Sequence, residues 1–210
     1  MTPPEAPEPV PGPASGPAPL WRGRTLALIA IVVVALNLRL AVVALSPILD
    51  QVSADIALGS LGVGVLGMLP PVCFAVVGLF APALHRRFGL EPVVIGALAA
   101  ILIGDLARAL SGSYLTLVLG SAVTFAGMGV ANVLLPALVK RYFPDRVGLL
   151  TALYATTLAI SATIPPLLAV PIADAAGWRA SVGSWSVFAV LALLPMLLLV
   201  AQEAREARGR

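Results

Sequence analysis

Long apolar runs separated by short polar gaps dominate this chain. Six of them, near Thr25–Ser46, Leu61–Ala81, Pro92–Leu110, Leu115–Leu138, Gly148–Val170 and Ser181–Val200, are of a length to cross a bilayer as helices. The hydrocarbon layer is about 30 Å thick and a helix rises about 1.5 Å per residue, so roughly 20 apolar residues suffice. The third run is slightly short. Lipid supplies no hydrogen bonds, so helices are the natural way for such segments to satisfy their backbone. The pattern predicts an all-α membrane protein of six transmembrane helices.

The polar gaps alternate in sign. Ten of the 13 Lys and Arg residues fall into four clusters: Arg22 and Arg24; Arg86 and Arg87; Lys140, Arg141 and Arg146; Arg205, Arg208 and Arg210. The opposite gaps hold Asp50, Asp55 and Asp174, with Arg108 and Arg179 as their basic residues. Basic residues stay on the cytoplasmic side of inserted helices. Both termini and the second-to-third and fourth-to-fifth loops are therefore expected in the cytoplasm of a multi-pass cell-membrane protein. Trp21 and Tyr142 on the inner side, and Tyr114 and Trp178 on the outer, read as interfacial anchors.

Composition agrees. Hydrophobic residues make up 60% and charged residues 11%, and the mean hydropathy is +1.02, far from an ordinary soluble domain. The net charge of +3 is a membrane-topology signal and implies no nucleic-acid partner. Residues 1–24 are rich in Pro and Ala, cannot bury a core, and are expected as a disordered cytoplasmic tail rather than a cleaved signal. Residues 201–210 are expected as a charged cytoplasmic tail. Cys73 lies inside the second helix and has no intrachain partner for a disulfide.

Ser111–Tyr114 is a very short link, which makes the third and fourth helices antiparallel neighbours, and Asp50–Ser60 is the longest outer link. Pro70-Pro71 and Pro165-Pro166 stand mid-membrane in the second and fifth helices. Each pair removes backbone donors and predicts a kink, suited equally to a moving transporter and to static packing. Small residues form stripes at helical spacing: Gly120, Thr124, Gly127 and Ala131 in the fourth helix, and Ala152, Ala155, Ala159 and Ala162 in the fifth. Such stripes let helix backbones approach closely.

Arg39 is the costliest residue to insert. It stands 14 positions after Thr25, about 21 Å along the helix. A charge at that depth costs at least ~2.5 kcal/mol unless it faces a partner or water. Two explanations exist: pairing with Asp50 or Asp105, or a polar cavity in which the planar guanidinium binds an anion. The anion site is preferred, because intramembrane ionisable residues are functional by default. Asn37 sits nearer the midplane on another side. Asp105 and Arg108, three apart near the outer end, read as a local ion pair. Ser121, Thr124, Met128 and Asn132 in the fourth helix, and Tyr154, Thr157 and Ser161 in the fifth, are polar stripes able to line a cavity. Ser and Thr equally bond back to their own helix carbonyls, and Asn132 is either interhelical glue or a substrate contact.

Catalysis finds no support. The single histidine, His85, lies in a basic loop without a cluster of metal ligands, and no nucleophile elbow, zinc-protease motif or phosphate loop occurs. No cofactor or metal is implied.

The strings "LNLRLAVVALSPILDQVSADIAL", "HRRFG", "ANVLLPALVKRYFPDRVGLLTALY" and "GWRAS" resemble the major facilitator superfamily, and more narrowly its cyanate/nitroimidazole-type branch, over roughly residues 25–200. The fourth-to-fifth string is the most specific, since it spans two helices and their loop. The resemblance implies the amino-terminal six-helix half-bundle, a 3+3 repeat, of a transporter that works by alternating access. It implies Asn37, Arg39 and Asn132 as candidate substrate contacts on the first and fourth helices; Tyr154, from the polar stripe of the fifth, is a further candidate. A small organic anion such as cyanate is the implied solute. This sequence departs from the family pattern at Leu40, at Ala131, and in "PALHRRFG", where Pro82 and Arg86 replace a glycine and an aspartate of the cytoplasmic signature. Such transporters have twelve helices in two halves. A truncated non-transporting product is the favoured alternative, and a half that pairs with itself or with a second six-helix polypeptide is the other.

Overall fold

The computed structural model describes residues 24–208, and every regular element in them is helical. The expected tail at 1–24 therefore lies almost wholly outside the described residues, as do Trp21 and Arg22. Helix α1 (Thr25–Ala44) is followed by one 3-10 turn (Ser46–Ile48) and the short α2 (Leu49–Asp55). Then come α3 (Gly59–Phe88), α4 (Leu90–Ala109), α5 (Tyr114–Tyr142), α6 (Val147–Ala176), α7 (Trp178–Ser184) and α8 (Ser186–Arg208). Six of these units are long and apolar enough to cross a membrane.

The helices outrun the apolar runs. The second span starts at Gly59 and continues past Ala81 to Phe88, so His85, Arg86 and Arg87 form its last turn instead of a loop. The fourth extends to Tyr142, and the sixth through Gln202 to Arg208. Hydropathy marks where a helix leaves the hydrocarbon, whereas hydrogen bonding and capping decide where it ends. Ser113 and Thr116 form a reciprocal capping box that starts α5. Gly89 and Gly177 end α3 and α6 with nearly the same left-handed backbone, φ 91° and 84°, which a side chain would strain. Both proline pairs are accommodated within continuous helices.

The two matching glycines mark an internal repeat that periodicity alone did not reveal, and packing completes it. The first three spans are α1, α3 and α4; the last three are α5, α6 and α7 with α8. The leading helix of each set packs on the other set: α5 lies against α3 and α4, and α1 against α6 and α8. The leading helices α1 and α5 touch each other, as do the trailing α4 and α8. The two triplets are interleaved into one bundle.

The closest approach is between α4 and α5. A Cβ at Gly127 would come within 2.5 Å of the Ala97 carbonyl, and one at Gly104 would overlap Thr124 and sit 2.7 Å from the Gly120 carbonyl. The predicted small-residue stripe of α5 is thus the packing face; Gly120, Thr124, Gly127 and Ala131 are all buried. The stripe predicted for α6 is not. Ala152, Ala155 and Ala159 are exposed, and α6 instead buries Leu150, Ser161, Pro165, Ala169 and Ala173. Small side chains permit a close approach, but they do not supply the partner.

Polar links tie both ends. At the end where α4 finishes, the Trp178 indole N–H and Arg179 both donate to Asp55, at 2.9 and 2.8 Å, and Arg179 also donates to the Ser111 carbonyl. Trp178 is buried, so it joins elements together rather than floating as a free interfacial anchor. At the end where α1 begins, Arg24 reaches Asp145 and stacks on Phe143. The hydrogen bond from Arg24 holds the Asp145 carboxyl below the usual aspartate range.

Candidate functional site

Helix α1 buries a stripe that includes Ala27, Ala30, Ile31, Val34, Leu38 and Ala41 against α5, α6 and α8. Arg39 stands outside that stripe and is exposed. It makes no hydrogen bond or ion pair with any described residue. Of its two expected carboxylate partners, Asp50 is exposed in α2 and Asp105 is engaged elsewhere. Asn37 is 2% exposed and packs inward.

Asn132 on α5 is exposed, and Tyr154 on α6 is half-buried against the main core. Measured from the end where α1 begins, helical rise puts Tyr154 about 10 Å deep, Asn132 about 15 Å, Asn37 about 18 Å and Arg39 about 21 Å. These residues share three mutually touching helices and a band of depths, but no hydrogen bond links them. None lines any of the three clefts that the bundle presents most clearly.

The other intramembrane arginine has a different setting. Arg108 donates from Nη1 to Asp105 at 3.2 Å, and both side chains are nearly inaccessible, at 1% and 2%. The Thr124 hydroxyl donates to the same carboxylate oxygen at 3.2 Å. Both Nη atoms lie 3.4 Å from the Ala41 carbonyl near the end of α1, and the guanidinium stacks on Phe125 at 5.5 Å. Gly120 makes room, since a Cβ there would come within 3.1 Å of the Arg108 side chain. The i,i+3 pair expected at an interface is therefore an enclosed joint between α4, α5 and α1. Only Nε of Arg108 is left without an acceptor among the described residues. Breaking such a buried pair is costly, because the surviving charge keeps its full desolvation penalty.

The polar stripes divide similarly. Ser121, Thr124 and Met128 are buried inside the bundle, and Thr124 serves Asp105. On α6, Thr157 and Ser161 bond back to the carbonyls of Leu153 and Leu158. Those two hydroxyls are spent on their own helix.

A second cluster escaped the sequence reading. Tyr142, at the end of α5, lies 2.9 Å from both Glu91 of α4 and Glu203 of α8. Arg141 pairs with the same two carboxylates, at 2.8 and 3.3 Å. The available signal was sign: Glu91 and Glu203 are acidic residues at an end rich in Lys and Arg. Tyr142 thus acts as a crosslink of three helix ends, beyond simple anchoring.

Comparison with known proteins agrees with this architecture. Residues 27–210 match the family model of the Major Facilitator Superfamily. The chain is 34% identical over 166 residues to an uncharacterized transporter of Bacillus subtilis, covering 78% of this chain and 41% of that protein. It is 34% identical over 173 residues to a 2-nitroimidazole transporter of Escherichia coli, covering 82% of this chain and 44% of that protein. The chain therefore spans less than half the length of these curated relatives.

Proposed function

The chain belongs to the Major Facilitator Superfamily, and from that premise we propose that it forms one wall of a secondary transporter for a small organic anion. Arg39 carries the reading. It is a guanidinium deep in a membrane helix, exposed and without a partner among the described residues, whereas Arg108 is buried and paired with Asp105. A charge kept at that depth without a partner needs water or an anion. In this reading Arg39 binds the solute, cyanate being the test case, and Asn37, Asn132 and Tyr154 complete one side of the path. A second six-helix half supplies the opposite wall. Alternating access then moves the two halves around the solute, in the plasma membrane, with both termini cytoplasmic.

The alternative is a truncated non-transporting membrane protein or a partner subunit of a split transporter. Purified chain and its Arg39→Ala variant, reconstituted in proteoliposomes, separate the two. Saturable cyanate uptake and cyanate-dependent thermal stabilisation are expected for the native chain and not for the variant. Helix content is expected to be the same in both. Undiminished uptake or stabilisation in a folded Arg39→Ala protein overturns the anion site. Absence of both in the native chain supports the alternative.

A further inference from the structure

Between α3, α4 and α5 runs a cleft of about 410 Å³, within the size range of small-molecule sites. Val77, Leu84 and Phe88 form one side, and Gly96, Ala100 and Ala126 are among the small residues that face them. No lining side chain is charged or carries a polar group. From Val77 to Phe88 the groove is about 16 Å long by helical rise. That is the depth of one leaflet of hydrocarbon, half of about 30 Å.

The groove ends beneath a charged rim. Arg86 and Arg87 sit in the last turn of α3, beside Phe88, and both are exposed. Arg87 stacks on the Phe88 ring at 5.4 Å, while Arg86 makes no hydrogen bond or ion pair with a described residue. The acidic residues at that end are already engaged: Glu91 and Glu203 are held by Arg141 and Tyr142, and Asp145 by Arg24. The net field at the rim therefore favours an anion. Guanidinium groups suit phosphate, which they hold through paired hydrogen bonds.

We propose that this groove binds one anionic phospholipid, with an acyl chain laid along α3 and the phosphate on Arg86 and Arg87. Charge at the rim and apolar length below it specify the two ends of the same molecule. The site is separate from Arg39 and independent of which solute is carried.

Gly96 offers a clean test, because a Cβ there would meet nothing within 4 Å. A side chain at Gly96 therefore starts into the groove without meeting protein, and Gly96→Leu extends into the space a lipid chain would take. The full chain is purified in detergent containing equal amounts of phosphatidylglycerol and phosphatidylcholine, and retained lipid is counted by native mass spectrometry. The native chain is expected to keep about one phosphatidylglycerol. Arg86→Gln and Arg87→Gln should each lower that preference about fivefold, and Gly96→Leu should abolish retention. Retention that follows the mixture overturns the proposal, as does unchanged retention in Gly96→Leu. A dimer that Gly96→Leu disrupts also overturns it, in favour of a second copy on this face. If Gly96→Leu fails to fold, the exposed arginines decide the matter alone.

Discussion

Helices α1 and α5 and helices α3 and α6 are comparably apolar, yet the bundle treats them in opposite ways. About half of the spanning window of α1 and 61% of that of α5 is buried, against 6% for α3 and 11% for α6. In water that contrast would mark α3 and α6 as defective. In lipid it marks nothing by itself, because hydrocarbon is as good a neighbour as another leucine. What separates the pairs is how they are joined. Helix α5 meets α4 through glycine contacts too close for any side chain, and it shares the Asp105–Arg108–Thr124 joint with α4 and α1. Gly64 and Gly67 of α3 face open space. The leading helices form the enclosed frame, and the second helix of each triplet is the more exposed element.

The sharpest way to break this contrast is to remove one charge from the frame. Asp105→Ala leaves Arg108 buried and unpaired and should cost about 3–5 kcal/mol, read as loss of folded chain in detergent unfolding curves. Replacing both residues with apolar ones should recover much of that loss. No recovery would show that the pair contributes more than mutual neutralisation. Next in size, Gly127→Leu should destabilise by about 1–3 kcal/mol or more through overpacking. Gly67→Leu in α3 should leave thermal unfolding nearly unchanged, and equal effects at the two positions would dissolve the distinction between enclosed frame and exposed helix. Tyr142→Phe removes the phenol that bridges Glu91 and Glu203 and should cost about 1 kcal/mol.

The smallest effect concerns the start of α1. Asp145 carries a lowered pKa because Arg24 hydrogen-bonds its ionised form. The stability it contributes is therefore present above the ordinary aspartate range and lost as pH falls through the depressed value. Both side chains are about half exposed, so salt should weaken the effect as well. Comparing Asp145→Asn with the native chain at neutral pH and at low pH checks the sign. The difference should be present at neutral pH and vanish on acidification.

Much of this was legible in the chain. The six spans, the short link before α5, the small-residue face of Gly120, Thr124 and Gly127, and the Asp105–Arg108 pairing all follow from local spacing. The exposed alanines of α6 and the Glu91–Tyr142–Glu203 crosslink were not legible. A stripe or a charge at a helix end states what a residue is able to do, and only the neighbour states whether it does so. The setting of Arg39 belongs to the same class: depth and cost are sequence quantities, but the lack of a partner is not.

By itself, then, the sequence determined that the chain enters a membrane, how many times it crosses, and which residues are costly there. These depend on transfer from water to lipid, which acts residue by residue along a helix. Only the tertiary structure decided which arginine is satisfied, which helices are enclosed, and that the two triplets interleave. Those outcomes turn on distances of 3 to 4 Å between segments far apart in the chain, and no local pattern encodes them.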